Sequence, residues 1–182
     1  MKRGYRLIKS LYYTIIFLTT IFLIGCTSTY SGKVPAIIQE ELMEGDEAYN
    51  LAKYKTDNIT YVYHVKRSTG EEVIIQLAEG EGYKDTIHLL VVISVTNNSL
   101  AKVMVLEHTE TASYGGYVTE SWFLDRFIGK KTNKQLVAAK IATKNPEEVS
   151  IITGATVTSE AVINAVNSCI ENFQMIKEGE LQ

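Results

Sequence analysis

The run DTIHLLVVISV, Asp85–Val95, is nearly all apolar and rich in β-branched side chains. Such a run, closed by the turn residues TNNS (96–99), reads as a buried strand. Its neighbours carry the same signal in alternating form. NITYVYHVKR (58–67) alternates and ends at the turn STGEE, EVIIQLAEG (72–80) follows, and LAKVMVLEH (100–108) alternates again. Four strands joined by tight turns predict an antiparallel meander.

The second half reads as helical. SEAVINAVNSCIENFQMI, from Ser159, places Val162, Val166, Cys169, Ile170 and Phe173 on one stripe. TESWFLDRFIGK sets Trp122, Phe123, Phe127 and Ile128 toward one face, with Trp122 read as core. NKQLVAAKIAT fits a helix or a strand. NPEEVSIITGAT reads as a loop, because Pro146 forces Asn145 out of the helical region. VPAIIQEELMEGDEAYNLAKY (34–54) has helical character, with Ile37, Ile38 and Leu42 at helical spacing. The fold class is therefore α+β, an antiparallel sheet with helices on one side.

The N-terminus reads as an export signal. MKRGYRLIKS is basic, and LYYTIIFLTTIFLI (11–24) is an uncharged apolar run shorter than the roughly 20 residues that span a bilayer. LIGC (23–26) then resembles the lipobox of bacterial lipoproteins. That resemblance implies cleavage before Cys26, acylation of its thiol and a lipid anchor on the membrane, with the body outside the cytoplasm. The chain divides into a signal at 1–25, a tether and helical segment at 26–57, and a domain at 58–182. Cys169, the second of two cysteines, then has no partner for an intramolecular disulfide and reads as a buried small hydrophobe. Without Lys2, Arg3, Arg6 and Lys9, the 18 basic groups fall to 14 against 21 acidic ones, near −7. An acidic body disfavours nucleic acid, whose phosphates need a basic face.

His64, His88 and His108 fall on separate strands and lack metal-ligand spacing, so no metal site is expected. No nucleophile elbow, HExxH or paired-carboxylate signature is present, and hydrolase chemistry has no support. What remains is IITGATVTSEAV, Ile151–Val162, which gathers hydroxyls around Gly154 just before a helix. A helix start offers unpaired N–H groups and a positive dipole end, which suits a phosphate. Without lysine this is not a Walker loop. Thr158 or Ser159 serving only as a helix cap explains the same residues equally well on local grounds.

TGATVTS (153–159) resembles the flavin-attachment motif of the FMN-binding domain family. That family includes the G subunit of Rnf-type electron-transport complexes and the C subunit of sodium-pumping NADH:quinone reductase. GYKDTIHLLVVISVTNNSLAKVMVLEHTET (82–111) is similar to its strand pair ending in His-x-Glu-Thr, and WFLDRFIGK (122–130) to the segment after it. The resemblance implies an FMN-binding-type fold and FMN esterified through its phosphate to Thr156. It places Thr153, Gly154, Ala155 and Thr158 around that ester, and has Glu110 and Thr111 line the flavin. Two positions depart from the family. Ser150 stands where an aspartate helps recognition by a flavin transferase, and Ala112-Ser113-Tyr114-Gly115 replaces Pro-Gly-Leu-Gly. Tyr114 is then either a cover for the flavin ring or an exposed loop tyrosine.

The leading expectation is a membrane-anchored, extracytoplasmic flavoprotein that relays electrons through FMN to an unidentified redox protein or quinone, a carrier more than an enzyme. A G-like subunit of an Rnf-type ion-translocating complex, and a lipoprotein binding module of the same fold without covalent flavin, are the alternatives.

Overall fold

The computed structural model describes residues 34–141 and 143–181. The export signal and Cys26 lie outside the described residues. Five strands form one antiparallel sheet in sequence order: β1 (Glu47–Asn50), β2 (Ile59–Lys66), β3 (Glu72–Glu81), β4 (Thr86–Ser94) and β5 (Ser99–Glu107). The four expected strands are all present. β4 is apolar at Ile87 and from Leu89 to Ile93 because both of its faces are covered there. Ile87, Leu89, Val91 and Ile93 point into one cluster, and Leu90 and Val92 into the other. A half-buried strand needs one apolar residue in two, whereas β4, lying between β3 and β5, needs nearly all.

The first cluster is closed by α3 (Thr156–Glu180), whose Val162, Val166, Cys169, Ile170, Phe173 and Ile176 are buried against the sheet. Burying each such large apolar side chain stabilises by about 1.5–3 kcal/mol. Burial also pushes the Cys169 thiol pKa far above its ordinary range. The helix comes very close to β3. A Cβ on Gly80 would lie 2.6 Å from the Ala161 carbonyl oxygen, so only glycine admits this crossing. On the same face Gln76 is fully buried, donates to the Cys169 carbonyl (2.9 Å) and accepts from Asn172 (2.7 Å). These bonds fix the helix along the sheet.

The second face is covered by the N-terminal segment, with Val34 and Ile38 packed near Tyr63, Val65, Val73 and Ile75. Here the structure corrects the sequence reading. Helix is confined to one turn, α1 (Ala36–Gln39), and a short 3-10 turn at Ala52–Tyr54. Between them β1 extends the sheet, so the sheet begins inside the segment set apart as 26–57. The β2 edge offers unpaired backbone groups, and pairing with them outweighs local helical preference. Asp46 fastens this segment to the β2–β3 turn. Its carboxylate accepts from Met43 N–H (3.0 Å), Ser68 N–H (2.9 Å) and the Arg67 guanidinium (2.8 Å).

After β5 come a 3-10 turn (Gly115–Thr119) and α2 (Ser121–Leu124). Phe123 and Phe127 are buried edge to face, 5.5 Å between centroids. Trp122 and Ile128 are not core: they are 46% and 45% exposed, and Arg126 lies over the indole. A single helical turn sets adjacent residues about 100° apart, so it cannot bury both 122 and 123. The ambiguous stretch after Lys134 contains a strand, β6 (Val137–Ala139). It pairs in parallel with β7 (Glu148–Ser150), which lies within the segment read as loop.

Two outcomes test this packing. Gly80→Ala is expected to destabilise by about 1–3 kcal/mol in urea unfolding, since helix backbone must move to admit one methyl. For Asp46, burial raises the pKa, but the backbone bonds from Met43 and Ser68 and the Arg67 contact outweigh it and hold it below the usual 3.8. A depressed folded pKa contributes stability that is complete above the unfolded value and lost as pH falls through the folded one. Acid titration of unfolding should therefore show a loss below pH 3.8 that Asp46→Asn reduces, the remainder coming from other carboxylates held low such as Glu148.

Candidate functional site

The first turn of α3 and the loop that follows β5 meet, and a cavity of about 420 Å³ opens between them. Its walls include Tyr83, Glu110, Thr111, Tyr114, Gly154, Ala155, Thr156 and Thr158. Six of the seven residues expected around a flavin thus come together from two distant stretches. The seventh, Thr153, is exposed and stands outside the cavity wall. Gly115 and Val157 also line it, and neither they nor Tyr83 was expected there. Tyr83 belongs to the Gly-Tyr pair that opens the 82–111 strand block, and that pair was the available signal.

The helix starts three residues earlier than expected, at Thr156, with Ala155 before it. No side chain caps it. Ser159 N–H is the first to bond back, to the Ala155 carbonyl at 2.9 Å. Ser159 Oγ instead accepts from Ile152 N–H (3.0 Å) and donates to the Ala155 carbonyl (2.8 Å), tying the loop to the helix from inside. Thr158 Oγ1 donates to Glu110 Oε2 at 2.7 Å, and both residues are buried. The capping expectation for Thr158 and Ser159 is therefore corrected: their hydroxyls are spent on tertiary contacts, and the helix end stays open toward the cavity. Thr156 is half-buried, and among the described residues its hydroxyl has no hydrogen-bond partner.

Gly154 takes φ +81°, a conformation that favours glycine. The close approach expected there is made by protein. A Cβ on Gly154 would lie 3.0 Å from Tyr114 Cδ1. Tyr114 is exposed as a loop tyrosine is, at 56%, and still covers Gly154 with one ring edge. Ser150 lies in β7, and its carbonyl accepts from the Arg126 guanidinium. The histidines lie apart, as His64 meets Glu72 (2.8 Å) and His108 Nδ1 accepts from Glu110 N–H (3.1 Å).

A second cavity, about 520 Å³, lies along α3 and shares Val157 with the first. Asp57, Glu79, Glu81 and Glu160 line it, a poor setting for an anion. The smaller cavity has an uncapped helix end, a free hydroxyl and two tyrosines. This set fits a flat aromatic cofactor bearing a phosphate.

Comparison with known proteins agrees with this fit. Residues 82–171 match the model of the FMN-binding domain. The chain is 30% identical over 134 residues to the G subunit of the Na⁺-translocating ferredoxin:NAD⁺ oxidoreductase complex of Acetobacterium woodii, covering 72% of this chain and 63% of that protein. It is 32% identical over 90 residues to the G subunit of an ion-translocating oxidoreductase complex of Methanosarcina acetivorans, covering 50% and 45%. The chain thus spans about half to under two thirds of the length of these relatives. The crystal structure of NqrC from Shewanella oneidensis superposes with a TM-score of 0.58 at 18% identity, over 81% of this chain and 91% of that one. This likeness supports the antiparallel sheet-and-helix fold.

Gly154→Ala is expected to destabilise by about 1–2 kcal/mol, from left-handed strain plus contact with the Tyr114 ring. Adding Tyr114→Ala should recover only the contact part. Full recovery, or no loss in the single variant, measured by urea unfolding, contradicts the geometry.

Proposed function

We propose that this chain, a member of the FMN-binding domain family through residues 82–171, holds FMN by a phosphoester to Thr156 and relays electrons. The observation that carries the assignment is the unequal fate of two neighbouring hydroxyls. Thr158 donates its hydrogen bond to Glu110, whereas Thr156 faces the same cavity without a partner among the described residues. Attachment by a flavin transferase requires the Thr156 oxygen to bond phosphorus, release its proton and displace the group that phosphorus carried. A committed, buried hydroxyl is a poor candidate for that step.

Bound FMN supplies redox chemistry; the protein's part is binding, orientation and control of solvent. The open first turn of α3 offers N–H donors and its dipole end to the phosphate. Tyr83 and Tyr114 offer aromatic surface to the ring, and Thr111 borders the same space. None of these roles asks for a general acid or base. A covalent tether suits a carrier outside the cytoplasm, where a dissociated cofactor is lost, and the LIGC box at Cys26 supports that placement on a lipid anchor. No helix among the described residues is long and apolar enough to cross a membrane.

A second reading, a G-like subunit of an ion-translocating oxidoreductase complex, is favoured by the likeness to the Acetobacterium protein over 72% of this chain. Mass spectrometry of the mature N-terminus separates the two: acylated Cys26 supports the anchored carrier, and an intact N-terminal segment supports the complex member. For attachment itself, co-expression with a flavin transferase should give a band that fluoresces after denaturation, and Thr156→Ala should lose that fluorescence. Wild type without fluorescence leaves a non-covalent module of the same fold. Fluorescence retained in Thr156→Ala moves the ester elsewhere.

A further inference from the structure

We infer that Glu110 is a positioning residue that presents Thr156 for modification, acting through Thr158 and not on the cofactor itself. This inference rests on the attachment reading above. Glu110 is 7% exposed, and a carboxylate so buried is costly unless its oxygens are paired. Both are. Oε1 accepts from Lys84 N–H at 2.9 Å, and Oε2 accepts from Thr158 at 2.7 Å.

The surroundings are shaped to this carboxylate. A Cβ on Gly82 would lie 2.5 Å from Oε1, and a Cβ on Gly115 would lie 2.5 Å from Oε2 and 2.8 Å from Thr158 Oγ1. Neither glycine takes a positive φ, so backbone conformation does not require glycine at either place. At Gly115 room for the Glu110–Thr158 pair does; at Gly82 a Cβ would meet the Asp85 carbonyl oxygen at 2.5 Å as well as Glu110. Three segments meet on one side chain: the turn before β4, the loop after β5 and the first turn of α3.

That first turn is buried at Thr158 and Ser159 and leans on the sheet through Ala161, but few side-chain hydrogen bonds hold it. It lacks a side-chain cap, and among the described residues the Thr158–Glu110 bond is its side-chain hydrogen bond to the loop after β5, Ser159 being bonded to Ile152 and Ala155. Thr158 is two residues from Thr156 on the same turn. Fixing one therefore orients the other, and releasing Thr158 lets the turn fray where the ester must form. A charged acceptor at a buried hydroxyl is among the stronger hydrogen bonds available for this task.

The test uses the purified full chain, a flavin transferase and its flavin donor, and reads the rate of flavin fluorescence on the denatured band as kcat and KM for the protein substrate. Glu110→Ala and Thr158→Val are each expected to lower kcat about tenfold or more, because misorientation by an ångström costs that much or more. The double variant should be no slower than either single one, since both cut one link. Glu110→Gln should stay within about threefold of wild type, as its carbonyl can accept from Lys84 N–H and its amide can donate to Thr158 Oγ1. A general loss of stability would not spare Glu110→Gln while making the single losses non-additive. Wild-type kcat in Glu110→Ala, or losses that multiply in the double variant, overturn the inference. If Glu110→Ala fails to fold, Thr158→Val, which keeps the side-chain volume, carries the test alone, and a wild-type kcat there overturns it. Flavin on wild type together with these results overturns this inference only; no flavin on wild type overturns the attachment reading and this inference with it.

Discussion

The contact between Gly80 on β3 and the Ala161 backbone on α3 sets where the rest of the site lies. Because the strand has no Cβ there, the helix settles onto the sheet at its N-terminal end, and Gln76 and Asn172 fix its position farther along. The open end of α3 is thereby delivered to the edge where β5 runs out into Glu110 and Thr111. A helix held away from the sheet by even one methyl group would separate the two halves of the cavity.

From that placement follows a division of labour among hydroxyls that are chemically alike. Ser159 ties the loop to the helix, Thr158 ties the helix to the sheet end, and Thr156 is left facing the cavity. The helix end is uncapped because the residues that would ordinarily cap it are engaged elsewhere. An uncapped helix N-terminus beside a hydroxyl with no partner among the described residues suits an anion. Tyr114, packed on Gly154, extends the wall over the same space.

Much of the fold was legible because its signals are local. Alternation and turn residues marked β2 through β5, and a 3.6-residue period marked α3. The misses share one cause, tertiary geometry that no local pattern encodes. β1 exists because β2 offers an edge, and nothing within Glu47–Asn50 announces it. Trp122 lies beside Phe123 in sequence, and one short turn has room in the core for only the second. Within the site, the motif singled out Thr156 and grouped it with Thr158, but it could not distinguish a helix cap from a tertiary tie at Thr158. That distinction depends on Glu110, 48 residues away in sequence. Thr153 shows the converse: it belongs to the motif, yet its side chain faces solvent.

The central claim is that Thr156 is the covalent attachment point. Its most direct test is peptide mass spectrometry of the chain co-expressed with a flavin transferase. The tryptic peptide 145–177 contains both candidate threonines of α3. The account predicts that this peptide carries the mass of FMN less one water and that fragmentation places it on Thr156. Modification on Thr158, or an unmodified peptide from a flavin-loaded protein, would contradict it.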